Sequence, residues 1–396
     1  MDPIARRQFN SQFSEEKYAK VLSYFPEQYE VQVPFRIAES PVFLDSVFKN
    51  EIIRAGEQII KQIFEPDILE HSLKGIPEAF RVPGPMGNPN FLAIDFGICA
   101  DSEGKPSPRL IELQGFPSLY AFQSQLGKVY KEVFQIPNTF NQYFNGFDES
   151  TYLDLLKRNI LGKVPAEEVV LLEIEPWHQP TAIDFSITRK ILGIEVVDIQ
   201  EIRREGKQIY YVRNGIKKPI QRIYNRVIFD ELVRKKSNLE LNFHLTEEAN
   251  LEWSVHPNWF FRFSKFLLPF IQSEFNPPSY FLNSLSSYPE DLENYVLKPL
   301  FSFSGEGVIF NLKKEDLDSI QDKENFILQK KVSYLPLVES PSGGVKAEIR
   351  LLYLWDENLG KPVLVTNLCR LSRGDMIGVK FNKERTWVGG SVALFQ

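Results

Sequence analysis

Apolar and polar positions recur with different periods along this chain, and the periods divide it. From 43 to 64, FLDSVFKNEIIRAGEQIIKQIF, apolar side chains return at helical spacing with strong helix formers between them, which predicts one long amphipathic helix. From 90 to 116, NFLAIDFGICADSEGKPSPRLIELQGF, two apolar segments flank the turn-forming DSEGKPSP, the signature of a β-hairpin with a longer loop. In its first strand Ala93, Asp95 and Gly97 share one face, and Leu92, Ile94, Phe96 and Ile98 the other; in its second, Glu112 and Gln114 fall on one face.

Beyond 166 the pattern becomes a buried-looking strand, EEVVLLEIEP, then the helix-like DFSITRKILG, then IEVVDIQEI. Strand, helix, strand with short joints is a βαβ unit and predicts a small parallel sheet with Rossmann-like winding. A hairpin follows in QIYYVRNGIKKPIQRIYNRV, where Asn-Gly is the turn signal. From 253 to 396 an aromatic-rich run, WSVHPNWFFRFSKFLLPFI, leads toward a helix, and ENYVLKPL, GVIFNL, NFILQKKV, VKAEIRLLYLW and KPVLVTNLCRLS read as strands. DENLGK between the last two is a tight connection, so an antiparallel meander is expected. The proline-rich joints IPNTF and NPPSY are candidate boundaries, and the chain shows no internal repeat.

Composition narrows the class. A chain of 396 residues exceeds one ordinary core, so two or three domains or interleaved subdomains are expected. With 43% hydrophobic residues and 32 Phe against 3 Met there is ample material for packing. The net charge of −6 offers no general basic field, which argues against a nucleic-acid partner. Two cysteines, Cys99 and Cys369, are too few for a disulfide framework and suit a reducing compartment. No apolar run approaches the roughly 20 residues that span a bilayer, and MDPIARRQFNSQF lacks the apolar segment of a signal peptide. A soluble cytoplasmic protein without a membrane partner is the expectation.

Chemistry gathers in two places. In YVLKPLFSFSGEGVIF, residues 295 to 310, a strand ends in Lys298 and Pro299, and a small-residue loop with Ser304, Gly305 and Gly307 follows. Glycines let backbone N–H groups approach phosphate oxygens, and a lysine at the strand end supplies a compact counter-charge. A glycine-containing hairpin with a surface lysine fits the same letters. The pattern is not a P-loop, which needs Gly-Lys-Ser/Thr opening a helix. Glu348 and Arg350 lie two apart on a strand whose other positions are mostly apolar, so both leave one face and need partners. Arg370, Asn382 and Gly389-Gly390 follow.

The hairpin of 90 to 116 adds the opposite charge. Asp95 and Glu112 lie on neighbouring antiparallel strands and converge, and two facing carboxylates repel unless a cation or proton lies between them. Mg²⁺, which takes hard oxygen ligands and commonly one or two carboxylates plus nucleotide phosphates, is one candidate, with Gln114 adding an amide oxygen. Rim charges on an edge hairpin are the other reading.

Taken together these residues resemble the ATP-grasp superfamily in circularly permuted order. IDFGICADSEGKPSPRLIELQGFPSL resembles the usual end of such a chain, with Asp95, Glu112, Gln114, Pro117 and Ser118 at matching places, but it comes first. The parts that should precede it come last: Ser264-Lys265 and Lys298 resemble the two nucleotide-binding lysines, and SFSGEG the mobile glycine-rich loop. FILQKKV resembles the hinge strand that reads adenine, with Gln329 as the side chain and Lys330 and Val332 offering backbone. Glu348-Ile349-Arg350 resembles the acid-x-Arg strand, and Arg370, Asn382 and Gly389-Gly390 the Arg, Asn and Gly-Gly segment. The likeness spans roughly 80 to 125 and 253 to 396. Among permuted relatives it is similar to the glutathionylspermidine synthase-like carboxylate-amine ligases, in which 166 to 250 would be the middle insertion and Arg226, near Asp230, a substrate-facing arginine.

The resemblance implies a mixed α/β (α+β) chain: an ATP-grasp fold in circularly permuted order with an inserted Rossmann-like βαβ subdomain. Its parts would be 1–145, N-terminal helices and the metal-binding part of the core; 146–252, the Rossmann-like subdomain; and 253–396, the nucleotide-binding subdomain and core strands. It implies ATP, with Mg²⁺ or Mn²⁺, as cofactors and a small-molecule or peptide carboxylate and an amine as substrates. Asp95, Glu112 and Gln114 would hold metal; Lys265, Lys298, Ser304, Gly305, Gly307, Gln329, Lys330 and Val332 the nucleotide; Arg350, Arg370 and Asn382 would act on the reacting groups; Glu348 and Arg226 would face substrate. Two departures stand out. Gln114 replaces an expected Asn and is one methylene longer, and neither cysteine sits in a nucleophile setting. A nucleotide-binding scaffold without turnover and a phosphotransferase on the same fold remain alternatives.

Overall fold

The computed structural model describes residues 1–302, 307–374, 377, 382 and 385–396. At its centre is a six-stranded sheet in which the strands run Gly389–Ser391, Lys361–Ser372, Gly343–Asp356, Phe91–Ala100 and Pro106–Gln114, with Val338–Ser340 added at the end of the third. The 90 to 116 hairpin forms as the alternation predicts, and Asp95 pairs with Glu112 across it. An extra residue, Ile111, bulges the second strand between the partners of Asp95 and Phe96.

The long helix also forms, as Ser46–Ile63, started by Asp45 whose carboxylate accepts from Phe48 N. Its buried stripe, Phe48, Ile52, Ala55, Gly56, Ile59 and Ile63, covers one face of the central sheet. A β-carbon on Gly56 would lie 2.2 Å from the Tyr353 hydroxyl and 2.8 Å from Leu351, so helix and sheet meet where only a glycine fits. That leaves the opposite face of the Gly343–Asp356 strand, with Glu348 and Arg350, for chemistry.

The βαβ reading holds. Val169–Glu173, Ala182–Leu192 and Glu195–Asp198 build it, and the strands Arg222–Asn225 and Glu252–Trp253 extend a sheet that is parallel throughout. The hairpin of 208 to 220 turns at Asn214 and Gly215, both with positive φ, as a type I′ turn requires.

Two sequence expectations differ from the structure. GVIFNL is not a strand; its one bridge is Ile309 to Leu297, because Ile309 and Phe310 are exposed and Asn311 turns left-handed at φ 54°. The third sheet therefore orders Ser279–Phe281, Phe326–Lys330 and Tyr295–Pro299, all antiparallel. The aromatic run 253 to 271 gives only the short helix Asn258–Arg262 and a 3₁₀ turn Lys265–Phe270, since Ser264 takes a cap conformation and Pro269 removes a donor.

That short segment is seated by the glycine of the hairpin end. Gly115 N donates to Phe263 O at 2.7 Å, and a β-carbon on Gly115 would sit 2.2 Å from Trp259 O. Backbone against backbone cannot yield as a flexible side chain can. Gly115→Ala is therefore expected to lower stability by about 1–3 kcal/mol, read as the urea midpoint, and by more than Gly390→Ala, where the new carbon would come no closer than 3.4 Å to any neighbour.

Candidate active site

Sheet register sets the site. On the face opposite the Ser46–Ile63 helix, Arg350 lies beside Asp95, Asp95 beside Glu112, and Glu348 between Arg370 and Gly97. Strand alternation brings these side chains to one side, and neighbouring strands bring them within reach of one another. Asp95 is fully buried. Its carboxylate accepts from Arg350 Nε at 2.5 Å and Nη2 at 2.7 Å, a bidentate pair, and from Arg370 Nη2 at 2.5 Å. Arg370 Nη2 also lies 2.9 Å from Glu348 Oε2, and the Tyr334 hydroxyl donates to Glu348 Oε1. The cation that the facing carboxylates demanded is thus, at Asp95, the guanidinium of the chain itself.

Glu112 completes the set from the edge strand. Lys265 Nζ stands 3.5 Å from its Oε2, Arg350 Nη2 3.7 Å from its Oε1, and Gln114 Nε2 donates to Oε1. Burial pushes the Glu112 carboxyl up, but Lys265, Arg350, Arg370 and Lys298 outweigh it and hold it at about 2. Lys298, from the Tyr295–Pro299 strand of the third sheet, donates to Ile111 O at 3.0 Å and Gln329 Oε1 at 2.6 Å. Burial brings its ammonium down to about 8, with Lys265 adding repulsion and Glu112 opposing. Burial raises the Glu348 carboxyl and Arg370 opposes it. Four cations, Lys265, Lys298, Arg350 and Arg370, face three carboxylates, Asp95, Glu112 and Glu348, which leaves one positive charge in surplus.

Nine of the residues singled out from the sequence therefore meet: Asp95, Glu112, Gln114, Lys265, Lys298, Gln329, Glu348, Arg350 and Arg370. Others do different work. Lys330 is exposed and its N–H is engaged by Pro278 O at 2.8 Å, so that backbone donor is spent inside the third sheet. Val332 lies beyond the end of the Phe326–Lys330 strand. Asn382 is buried and bonds Ser372 Oγ and Arg373 N, which ties two segments of chain together. Gly389 and Gly390 receive the 36–38 segment: Gly390 N donates to Arg36 O, and a β-carbon on Gly389 would lie 2.3 Å from that oxygen. Ser304 and Gly305 lie outside the described residues. Gly307 has φ 72°, and a β-carbon there would meet Pro299 at 2.8 Å.

Arg226, expected to face substrate, is buried. It reaches Asp184 at 3.4 Å and lies between the rings of Phe116 and Phe185, with 5.2 Å and 5.1 Å from guanidinium carbon to ring centroid. Asp184 in turn accepts Phe122 N at 2.9 Å and so caps the Tyr120–Phe134 helix, whose own cap residue, Leu119, turns left-handed and gives no side-chain bond. A charge so enclosed serves the packing of two elements. Asp230 stands in the Phe229–Lys235 helix that follows.

Sequence reasoning missed Tyr334 and Asp184. Tyr334 lies in a loop without a motif, but Gly97 was its sign: a β-carbon there would be 2.7 Å from the Tyr334 ring. A glycine within an apolar strand marks a close approach.

The ionic centre makes two predictions. Asp95→Asn leaves the buried Arg350 guanidinium and the half-buried Arg370 facing a neutral amide, and stability to urea should fall by about 3–5 kcal/mol. Because the Glu112 carboxyl is depressed from 4.5 to about 2, its contribution is present above pH 4.5 and lost as pH falls toward 2. The stability gap between native protein and Glu112→Gln should therefore be full at pH 6 and narrow progressively between pH 4.5 and 2, as read by urea denaturation across that range.

No family model and no curated protein matches the sequence. Among solved structures, the apo form of a glutathione synthetase-like effector from Globodera pallida is similar, with a TM-score of 0.57 and 10% identity over 90% of this chain and 93% of that one. At that identity the likeness is one of fold: a mixed α/β chain built like a glutathione synthetase-like protein.

Proposed function

We propose that the protein binds ATP between the third sheet and the central sheet and uses it, as a permuted ATP-grasp ligase, to join a carboxylate to an amine. The observation that carries this reading is the buried cluster of Lys265, Lys298, Arg350 and Arg370, which exceeds its carboxylates by one charge. A buried surplus of cations is costly alone and is relieved by an anion. The fold likeness to a glutathione synthetase-like protein supports the same reading.

In this scheme an oxygen of the substrate carboxylate attacks the γ-phosphorus, the bond to the β-phosphate oxygen breaks, and acyl phosphate and ADP result. The amine nitrogen then attacks the acyl carbon, the C–O bond to phosphate breaks, and the departing phosphate carries the electron pair and takes the proton from nitrogen. Phosphoryl transfer asks the protein chiefly for positioning and charge stabilisation. Lys265 and Lys298 meet phosphate oxygens; Asp95 holds Arg350 and Arg370 in place; Tyr334 and Glu348 fix Arg370 from its other side.

The residues first considered for Mg²⁺ or Mn²⁺ do not fit a resident metal. Both Asp95 oxygens are taken by guanidinium groups, Glu112 Oε1 accepts from Gln114, and among the described residues no three His, Cys, Asp or Glu side chains form a metal set. No step is assigned to a protein-held cation.

The same seal on Asp95 favours a second reading, a nucleotide-binding protein without turnover, and the similar solved structure is itself named an effector. ADP release on addition of carboxylate and amine mixtures separates the two. Isothermal titration with a non-hydrolysable ATP analogue is expected to give saturable binding that survives EDTA, and Lys298→Ala or Lys265→Ala should weaken it at least tenfold, about 1.4 kcal/mol. Native protein that binds no analogue would end both readings.

A further inference from the structure

Arg262 is a buried guanidinium that meets no acid. Nε donates to Ser72 Oγ and Nη2 to Leu69 O, both at 2.8 Å, and the group lies over the Trp259 ring, 4.2 Å from guanidinium carbon to centroid. Among the described residues no carboxylate pairs with it, and burial alone brings the guanidinium down to about 10. Its remaining nitrogen, Nη1, donates to the thioether of Met86, with 3.9 Å to Sδ. A thioether is a weak acceptor, so one edge of a desolvated cation is poorly met.

Met86 is placed where that acceptor can change. It is half-buried, packed against both the core of the central sheet and the core of the parallel sheet. It also lines an open groove of about 400 Å³ between the 78–86 segment and Thr246 and Asn258, far wider than a peroxide molecule needs. The residue is held by its backbone, since Trp259 Nε1 donates to Met86 O at 3.2 Å. Gly84 and Gly87 on either side have φ 98° and 58° and open space where a β-carbon would stand, so the strap around Met86 has room to adjust. An oxygen added to the sulfur on the side of Nη1 would bring a strong acceptor within hydrogen-bond reach of a cation that has none there.

We propose that Met86 is a site of reversible oxidation and that Arg262 receives the sulfoxide oxygen. The oxidant is hydrogen peroxide. The sulfur lone pair attacks one peroxide oxygen, the S–O bond forms and the O–O bond breaks, and the departing hydroxide takes the proton of the transferred oxygen and leaves as water. Sulfur gives up two electrons and peroxide gains them. Sulfoxidation ordinarily loosens the packing around a methionine. Here it replaces a weak N–H···S contact by a charge-assisted N–H···O bond to a buried cation, so the sign is reversed. Arg262 closes the Asn258–Arg262 helix three residues before Lys265, and the new bond fastens the stretch that carries that lysine.

The test treats the full chain with hydrogen peroxide at a level that converts free methionine completely, followed by peptide mass mapping and thermal melting. One oxygen is expected on Met86, with a melting temperature raised by about 2 °C and slower amide exchange over 258–265. Methionine sulfoxide reductases of both epimer specificities should return all three to their starting values. Met86→Leu should show no rise with peroxide, and Met86→Gln, whose amide oxygen stands in for the sulfoxide, should melt above Met86→Leu without any oxidant. Arg262→Gln, if folded by near-UV circular dichroism, should lose the rise. Met86 left unoxidised, an oxidised protein that melts no higher than the reduced one or exchanges no more slowly over 258–265, or a rise that persists in folded Arg262→Gln overturns the proposal. If Arg262→Gln does not fold, the comparison of Met86→Gln with Met86→Leu decides, and equal melting overturns it.

Discussion

The bidentate pair of Arg350 with Asp95, joined by Arg370, is the constraint on which the rest of this structure depends. Asp95 and Arg350 are removed from water together and Arg370 is partly so, from three adjacent strands, and either buried charge alone would be strongly unfavourable in that position. Their geometry is met only when the Gly343–Asp356 strand pairs in one register with both neighbours. A slip by one residue would turn Arg350 and Glu348 into the face that Ser46–Ile63 covers with Ile52, Ala55 and Ile59. Fixing the register of one charged row thus fixes which face of the sheet is packed and which is chemical.

With Asp95 satisfied inside the sheet, the charges that remain available arrive from elsewhere. Lys265 comes on a 3₁₀ turn seated against Gly115, and Lys298 on the third sheet, where it is steadied by Ile111 O and Gln329. Glu112 attracts both, and its carboxylate also lies within 3.7 Å of Arg350. The lowered Lys298 and the lowered Glu112 have different origins: burial brings Lys298 down with Lys265 adding repulsion, whereas burial pushes Glu112 up and the surrounding cations reverse it.

The parallel sheet stands behind this centre. Phe116 is the shared wall, with a small cavity beside Glu112 on one side and the Arg226 guanidinium on the other. Arg226 and Asp184 hold the start of the Tyr120–Phe134 helix, so the βαβ unit and the ionic centre are joined by a ring and a capped helix end.

The sequence by itself determined the local elements and the side of each strand on which charge lies. Alternation set Asp95, Glu112 and Gln114 on one face, the helical period set Ser46–Ile63, and Asn-Gly set the turn at Asn214 and Gly215, because these depend on neighbours a few residues away. Tertiary structure decided the partners. Asp95 was legible as a carboxylate that needs a cation, but its engagement by Arg350 and Arg370 rather than an ion follows from strands some 255 and 275 positions along the chain. Arg226 carried no sign of being enclosed by Phe116 and Phe185, and GVIFNL had the letters of a strand yet met no partner beyond one bridge. Pairing and enclosure are properties of the folded surface that a segment meets, and no period within the segment encodes them.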